Sequence, residues 1–165
     1  MSTVITTIGS SSVTLYCGPS TTLYESVGTV PASQTVTVYW KEDDGTGSYW
    51  YFIECTTSGS TKKRRGHVPL SAFSNPSALS PVTALSTASG CLGRTLSGAA
   101  TTTYGGPGTS TYAQNSTMLP AESGVTLLLP AEGSYRYAEY CTGGKKTIRA
   151  YIPTFNDISF YLMAI

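Results

Sequence analysis

The sequence predicts an all-β protein made of two small five-stranded β-barrels in tandem. Short apolar or β-branched runs, bounded by turn residues, recur along the 165-residue chain, as is typical of small barrels. No segment repeats its apolar residues at the helical spacing of about 3.6, so we expect almost no helix. The same series of sequence blocks also occurs twice, in the same order.

The first repeated block is a Gly-Pro turn flanked by two tyrosines. The segment "YCGPSTTLY" runs from Tyr16 to Tyr24, and "YGGPGTSTY" runs from Tyr104 to Tyr112. Each is followed by a Pro-Ala turn and an alternating strand, "VPASQTVTV" in the first copy and "LPAESGVTL" in the second. The shared order of these blocks indicates one module present in two copies.

The next block is an aromatic strand, "SYWYFIEC" in the first copy and "SYRYAEYC" in the second. Aligning the two strings places Trp50 on Arg136 and leaves Glu54 and Glu139 one residue out of register. Strand alternation points Trp50 and Tyr51 to opposite faces, so one of these two faces should be core.

The block order sets the expected domain boundaries. The first barrel is predicted over residues 1–75 and the second over residues 92–165. Residues 76–91 carry no charge and contain two prolines. This segment is predicted to be a linker or an extended segment lying across the barrels.

Composition excludes several classes of partner. The net charge is +1 and only 12% of residues are charged, so no nucleic-acid partner is expected. No apolar run approaches the roughly 20 residues that a membrane span needs, and the first residues do not resemble a signal peptide. Twelve tyrosines against four phenylalanines suggest aromatic surface for carbohydrate or peptide. An ordinary secreted β-protein has a similar composition.

The four cysteines are Cys17, Cys55, Cys91 and Cys141. Their spacing matches no zinc pattern, and we expect no metal and no cofactor. Cys55 and Cys141 each end an aromatic strand, which predicts two small buried side chains in one structural slot. We expect four thiols, as suits a chain that folds in a reducing cytoplasm.

The residues do not predict an enzyme. His67 is the single histidine, and the closing strands align it with Tyr151, which favours an aromatic packing or contact role over catalysis. Counting alone leaves a glycosidase carboxylate pair open. However, Glu42, Asp43 and Asp44 fall in one loop, where they should be solvated.

A basic run, "KKRR" at residues 62–65, has three interpretations. It is a weak signal for nucleic acid, a common way to keep a sheet edge soluble, or an anchor for an anionic polymer or a peptide carboxylate. The sequence leaves these open.

Ligand binding is expected on the tyrosines that flank the two Gly-Pro turns, because they recur and should lie close together. The alternative is that they only pack the loop. The candidate ligand-binding residues are Tyr16, Tyr24, Trp50, His67, Tyr104, Tyr112 and Arg136.

These blocks resemble the bacterial Src-homology-3 family of the cell-wall-targeting type. Its units typically lead from a strand into a Ser-Gly-Pro-Ser turn, a tyrosine, a Val-Gly-x-Val step, a Val-x-Val strand, a tryptophan strand and a closing Gly-Tyr-Val strand. The first copy departs at Cys17 and His67; the second lacks the Val-Gly step and has Arg136 in place of tryptophan. The resemblance covers roughly residues 8–73 and 96–157.

The resemblance implies two Src-homology-3-like barrels that bind the bacterial cell wall, through peptidoglycan glycan or peptide. Such tandem units accompany peptidoglycan-cleaving domains in phage endolysins and bacterial autolysins, so an extracellular action at the wall is expected. The lack of a visible export signal favours release during phage lysis, or a fragment of a longer enzyme. A homo-oligomer stays open. The alternative function is a protein-protein interaction or assembly module of a virion or cell surface.

Overall fold

The computed structural model describes residues 3–85, 91–94, 99–143 and 146–153, with backbone only at 91–94. As the sequence predicts, the protein is all-β: it contains two antiparallel sheets and, among the described residues, only two short 3-10 turns. The chain divides into two compact units, Met1–Leu85 and Ser86–Ile165. Within the described ranges, no helix is long and apolar enough to cross a membrane.

The first unit has six strands rather than the predicted five. They are β1 (Val4–Thr7), β2 (Val13–Tyr16), β3 (Ser26–Val30), β4 (Thr35–Asp43), β5 (Tyr49–Thr56) and β6 (Lys63–Pro69). Their order in the sheet is β1-β4-β5-β6-β2-β3. The extra strand is β1, which precedes the first repeated block and pairs with β4. No ladder between described residues joins β1 to β3, so the pairing does not close into a barrel.

The core of the first unit lies on one face of this sheet. Strand β4 alternates as expected, with Val36 and Val38 fully buried. Each such side chain contributes about 1.5–3 kcal/mol when it leaves water. The buried cluster is Ile8, Leu15, Val30, Val36, Val38, Tyr51, Ile53, Cys55, Val68, Ala72, Phe73, Leu79 and Val82.

Part of the segment predicted to link the two units is integral to the first. Leu79 and Val82 belong to the core cluster. The backbone N–H of Leu85 donates to the carbonyl of Lys41 on β4 at 2.8 Å. Residues 76–85 therefore close over the first sheet, and residues 86–90 lie outside the described residues.

The second unit has a four-stranded sheet among its described residues. The strands are β7 (Cys91–Arg94), β8 (Gly124–Leu127), β9 (Tyr135–Cys141) and β10 (Thr147–Pro153). The order β10-β9-β8-β7 matches β6-β5-β4-β1 of the first unit. Among the described residues, the segments that correspond to β2 and β3 make isolated bridges, which are Thr101 to Leu119, Tyr104 to Gln114 and Tyr104 to Tyr151.

The backbone repeats as well as the sequence. The Pro-Ala turn before β4 holds Ser33 at φ 58°, and the turn before β8 holds Glu122 at φ 55°. Both values lie in the left-handed region, which few residues other than glycine adopt. Two copies that share this uncommon turn conformation at the same place follow the same chain path.

Cross-strand pairing fixes which residues correspond between the units. Glu54 lies opposite Arg65 in the β5–β6 ladder, and Glu139 lies opposite Arg149 in the β9–β10 ladder. The two glutamates are therefore equivalent, and the one-residue offset expected from the sequence is wrong. Matching the "SY" letters at the start of each strand gives the wrong equivalence, because the register of a strand is set by its partner strand.

The corrected register also changes which residue of the second unit is equivalent to Trp50. Trp50 faces Pro69 and Tyr135 faces Pro153, so Trp50 corresponds to Tyr135. Arg136 instead corresponds to Tyr51. The second unit has therefore kept an aromatic residue where the sequence alignment placed an arginine.

The cysteines differ in their surroundings. Cys17 and Cys55 carry buried thiols and Cys141 carries an exposed one, while the side chain of Cys91 lies outside the described residues. The expectation that Cys55 and Cys141 share a buried slot is wrong, because the register places Cys141 opposite Thr147 and makes it equivalent to Thr56. Burial raises the pKa of the Cys55 thiol to about 12.

Thiol reactivity follows from these surroundings. Since the thiolate is the nucleophile, folded protein alkylated at about pH 8 should be modified rapidly at Cys141 and very slowly at Cys55. Peptide mass spectrometry measures the rate at each site. Unfolded, unreduced protein should titrate as four thiols; two or none would reveal a disulfide, and fast alkylation of Cys55 would contradict its burial.

Close packing at Gly66 predicts a loss of stability on substitution. A Cβ there would lie 2.7 Å from Leu15 Cγ and 2.8 Å from the carbonyl oxygen of Tyr16. We expect Gly66→Ala to lower the free energy of unfolding by about 1–3 kcal/mol, measured by urea denaturation. The matched control is Gly9→Ala, whose Cβ would meet its nearest atom at an ordinary 3.5 Å. Equal free energies of unfolding for the two variants would show that the sheet accommodates a methyl group at Gly66 without loss of stability.

Candidate functional site

An edge-to-face aromatic pair lies where β2 meets the start of β5. The rings of Tyr16 and Trp50 are 5.7 Å apart at 90°. Tyr16 is partly exposed, whereas Trp50 is only 7% exposed. Tyr51 is also buried, at 5%, so both faces of β5 are covered here rather than the single core face expected from alternation.

The second unit contains an equivalent aromatic pair. Tyr104 and Tyr135 have ring centroids 6.1 Å apart, again at 90°. Tyr104 is partly exposed and Tyr135 is 8% exposed. Such contacts contribute about 0.5–1.5 kcal/mol beyond the buried area. Each unit thus shows the outside of one tyrosine, held in place by a buried aromatic partner.

The second tyrosine of each turn packs on the turn glycine. A Cβ added to Gly18 would overlap the ring of Tyr24, and one added to Gly106 would overlap the ring of Tyr112. Tyr24 remains partly exposed, while Tyr112 is 9% exposed. The glycine of the Gly-Pro turn is required because the aromatic ring occupies the space of a side chain.

His67 lies opposite Tyr16 in the β2–β6 ladder but is buried, and Arg136 follows Tyr135 on β9. His67 is fully buried at 0% exposure, and a hydrogen bond of 2.6 Å joins its Nε2 to Oε2 of Glu42. Its ring is also 5.0 Å from that of Phe52. Arg136 is partly buried on β9, opposite Ile152. The structure therefore groups the ring of Tyr16 with that of Trp50, and the ring of Tyr104 with that of Tyr135.

The equivalent glutamates carry a second repeated feature. Arg65 Nε donates to Glu54 Oε1 at 3.2 Å, and Arg149 Nε donates to Glu139 Oε2 at 2.8 Å. In the first unit, Lys63 Nζ also donates to Glu54 Oε2 at 2.9 Å. This hydrogen bond and the nearby carboxylate raise the pKa of Lys63. The same cross-strand carboxylate–guanidinium pair therefore occurs in both units.

A groove lies beside each pair. The first groove measures about 210 Å³ and the second about 420 Å³. The first is lined by residues that include Thr35, Val36, Thr37, Glu54, Thr56 and Lys63. The second is lined at the equivalent positions by Gly124, Val125, Thr126, Glu139, Cys141 and Thr147. None of the seven candidate residues from the sequence is among the described residues that line them.

The sequence comparison did not reveal the two grooves, because it aligned the aromatic strands of the two copies with an error of one residue. The available signal was a charged residue in the middle of each aromatic strand, "IEC" and "AEY", together with an arginine two residues before His67 and before Tyr151. A charge kept at the same place in two half-buried strands indicates a partner across the ladder.

No protein-family model, no curated protein and no solved structure matches this chain. Within the described part of the chain, no group of three or more histidine, cysteine, aspartate or glutamate side chains is arranged to hold a metal ion.

A double-mutant cycle tests the contact between Gly18 and Tyr24. Gly18→Ala should lower the melting temperature, because the new methyl group displaces the Tyr24 ring. In the background of Tyr24→Ala the same substitution should cost little, since the space is vacated. Gly106→Ala and Tyr112→Ala provide the matched cycle in the second unit. Additive effects in both cycles would contradict this ring-on-glycine packing.

Proposed function

We propose that this chain is a non-catalytic module of two Src-homology-3-like units that binds the peptidoglycan of the bacterial cell wall from outside the cell. In this proposal it is the targeting region of a phage endolysin or a bacterial autolysin. The observation that carries the proposal is the duplication of one surface arrangement, a partly exposed tyrosine on a buried aromatic partner, at equivalent positions in both sheets.

The arrangement suits a polar, extended ligand. A partly exposed tyrosine offers an apolar ring face and a hydroxyl group, which together match sugar rings or a peptide backbone. At the same end of β5, directly before Trp50, Tyr49 is 43% exposed and lies under the Lys41 ammonium, which is 4.5 Å from its ring centroid. With a net charge of +1, the chain has no strong field to attract nucleic acid.

In this proposal, the duplication of the site increases the avidity for the wall. One shallow aromatic site binds weakly, but two linked sites on a repeating polymer raise the avidity by about 10²–10⁴. The cell wall is such a polymer. Two copies of a weak site would keep an enzyme on its insoluble substrate while each single contact remains short-lived.

The proposed module binds without cutting. A papain-like mechanism would require His67 beside a cysteine thiolate. Here His67 Nε2 is held at 2.6 Å by Glu42 in the interior, and the pKa of Cys55 is raised to about 12, so this thiol is protonated at neutral pH.

A protein-protein interaction or assembly module is the second candidate. It is favoured by large apolar side chains on the surface of the first unit, where Ile5 is 72% exposed and Leu23 is 61% exposed. Ile5 lies on β1, an edge strand that pairs with β4 on one side. An edge of this kind can accept a strand from another chain.

Sedimentation with purified sacculi tests the wall-binding proposal. The parent protein should pellet with sacculi at low salt. Tyr16→Ala and Tyr104→Ala should each reduce the bound fraction, and the double variant should lose more than the two losses combined, because avidity is lost. The supernatant should contain no released reducing sugar or amine.

Circular dichroism of each variant is the control for folding. If the folded double variant pellets like the parent, the tyrosines are packing residues and the site lies elsewhere. If the parent does not pellet at all, the assembly function becomes the better proposal. Release of sugar or amine that disappears in His67→Ala would overturn the non-catalytic assignment.

A further inference from the structure

The two grooves beside the Glu–Arg pairs are built from equivalent positions but differ in size. We propose that the second groove binds a sugar segment of the wall glycan, and that Lys63 closes the equivalent groove of the first unit. This inference rests on the proposed wall-binding function and names the ligand chemistry of one site within it.

The two grooves differ in volume. Clefts that hold small ligands in proteins measure roughly 300–1,000 Å³. The second groove, at about 420 Å³, falls in this range, and the first, at about 210 Å³, falls below it. The same fold therefore gives one groove large enough for a ligand and one that is not.

Among the equivalent positions that differ, one lies directly beside the glutamate of each groove. Lys63 lines the first groove and places its Nζ 2.9 Å from Glu54 Oε2, so its side chain lies beside the carboxylate that a ligand would use. The second unit has Thr147 at this position, and threonine is too short to cover Glu139. The exposed fractions of the two glutamates are consistent with this difference. The side chain of Glu139 is 28% exposed, whereas that of Glu54 is 10% exposed.

The chemistry of the second groove favours a neutral ligand rich in hydroxyl groups. Its described lining contains the carboxylate of Glu139 and the hydroxyls of Thr126 and Thr147. Carboxylates accept hydrogen bonds from sugar hydroxyls, and threonine hydroxyls both donate and accept. Val125 and Tyr140 also border the groove, but they are only 2% and 3% exposed, so the polar groups supply the ligand contacts.

A peptide stem fits this groove less well. The described lining contains one acidic residue, Glu139, and no lysine or arginine, so it offers no cation to hold a ligand carboxylate. Arg149 does not line the groove and is engaged with Glu139 at 2.8 Å. The glycan, not the peptide, is therefore the occupant that the groove favours.

Cys141 gives a direct readout, because its exposed thiol lines the second groove. Alkylation of Cys141 is followed by peptide mass spectrometry, with and without soluble glycan strands freed from peptide by an amidase. Glycan strands should slow the modification of Cys141 by roughly tenfold at saturation, and stem peptides at the same concentration should not.

Reciprocal substitutions test the role of position 63. Thr147→Lys should abolish the protection of Cys141 and weaken sacculus retention by roughly tenfold. Lys63→Thr should open the first groove and strengthen retention. Each unit already carries the other's residue at this position, so both variants are expected to fold. Ser116→Lys adds the same charge at an exposed position outside the groove and is the control for charge alone.

The outcomes separate this inference from the proposed function. Unchanged Cys141 alkylation, with sacculus retention intact in Thr147→Lys, would overturn the groove assignment and leave wall binding standing. Protection by stem peptide but not by glycan would overturn the ligand chemistry. Retention that falls equally in Thr147→Lys and Ser116→Lys would show a general charge effect and also overturn the assignment. Absence of both retention and protection would remove the two proposals together.

Discussion

The register of one hairpin in each unit determines where the other features of that unit lie. Glu54 opposite Arg65, and Glu139 opposite Arg149, connect the second and third strands of the shared β4-β5-β6 arrangement. A slip of one residue would turn each strand over and take the glutamate away from its arginine. Because Glu54 and Arg65 are about nine-tenths buried, the slipped state would leave charged groups without compensation in a site that water hardly reaches. The charge pair therefore disfavours these alternative registers.

This register also brings the two candidate surfaces onto one strand. In β5, Trp50 and Glu54 are separated by four residues, which place both on the same face about 13 Å apart. Between them lies Phe52, stacked on Trp40 with ring centroids 4.0 Å apart. The second unit keeps the spacing with Tyr135 and Glu139. In the proposed function, an extended polymer that runs along β9 would meet the aromatic pair and the second groove in turn.

The sequence predicted the features that depend on local patterns. The all-β class and the duplication follow from residue types at fixed spacing. The sequence did not predict the equivalence of Trp50 with Tyr135, because register depends on a partner strand distant in the chain. It also missed the groove, since the shortening from Lys63 to Thr147 has meaning only after both have been placed beside a glutamate.

The sequence repeat and the folded unit do not end at the same residue. Leu79 and Val82 lie beyond the last repeated block, yet they are 2% and 3% exposed and complete the core of the first unit. A gene rearrangement that moved only the repeated blocks into another protein would leave an apolar opening in the sheet, whereas one that extended to Leu85 would carry its own cover. The segment that must be transferred to obtain a complete folded unit is therefore longer than the sequence repeat.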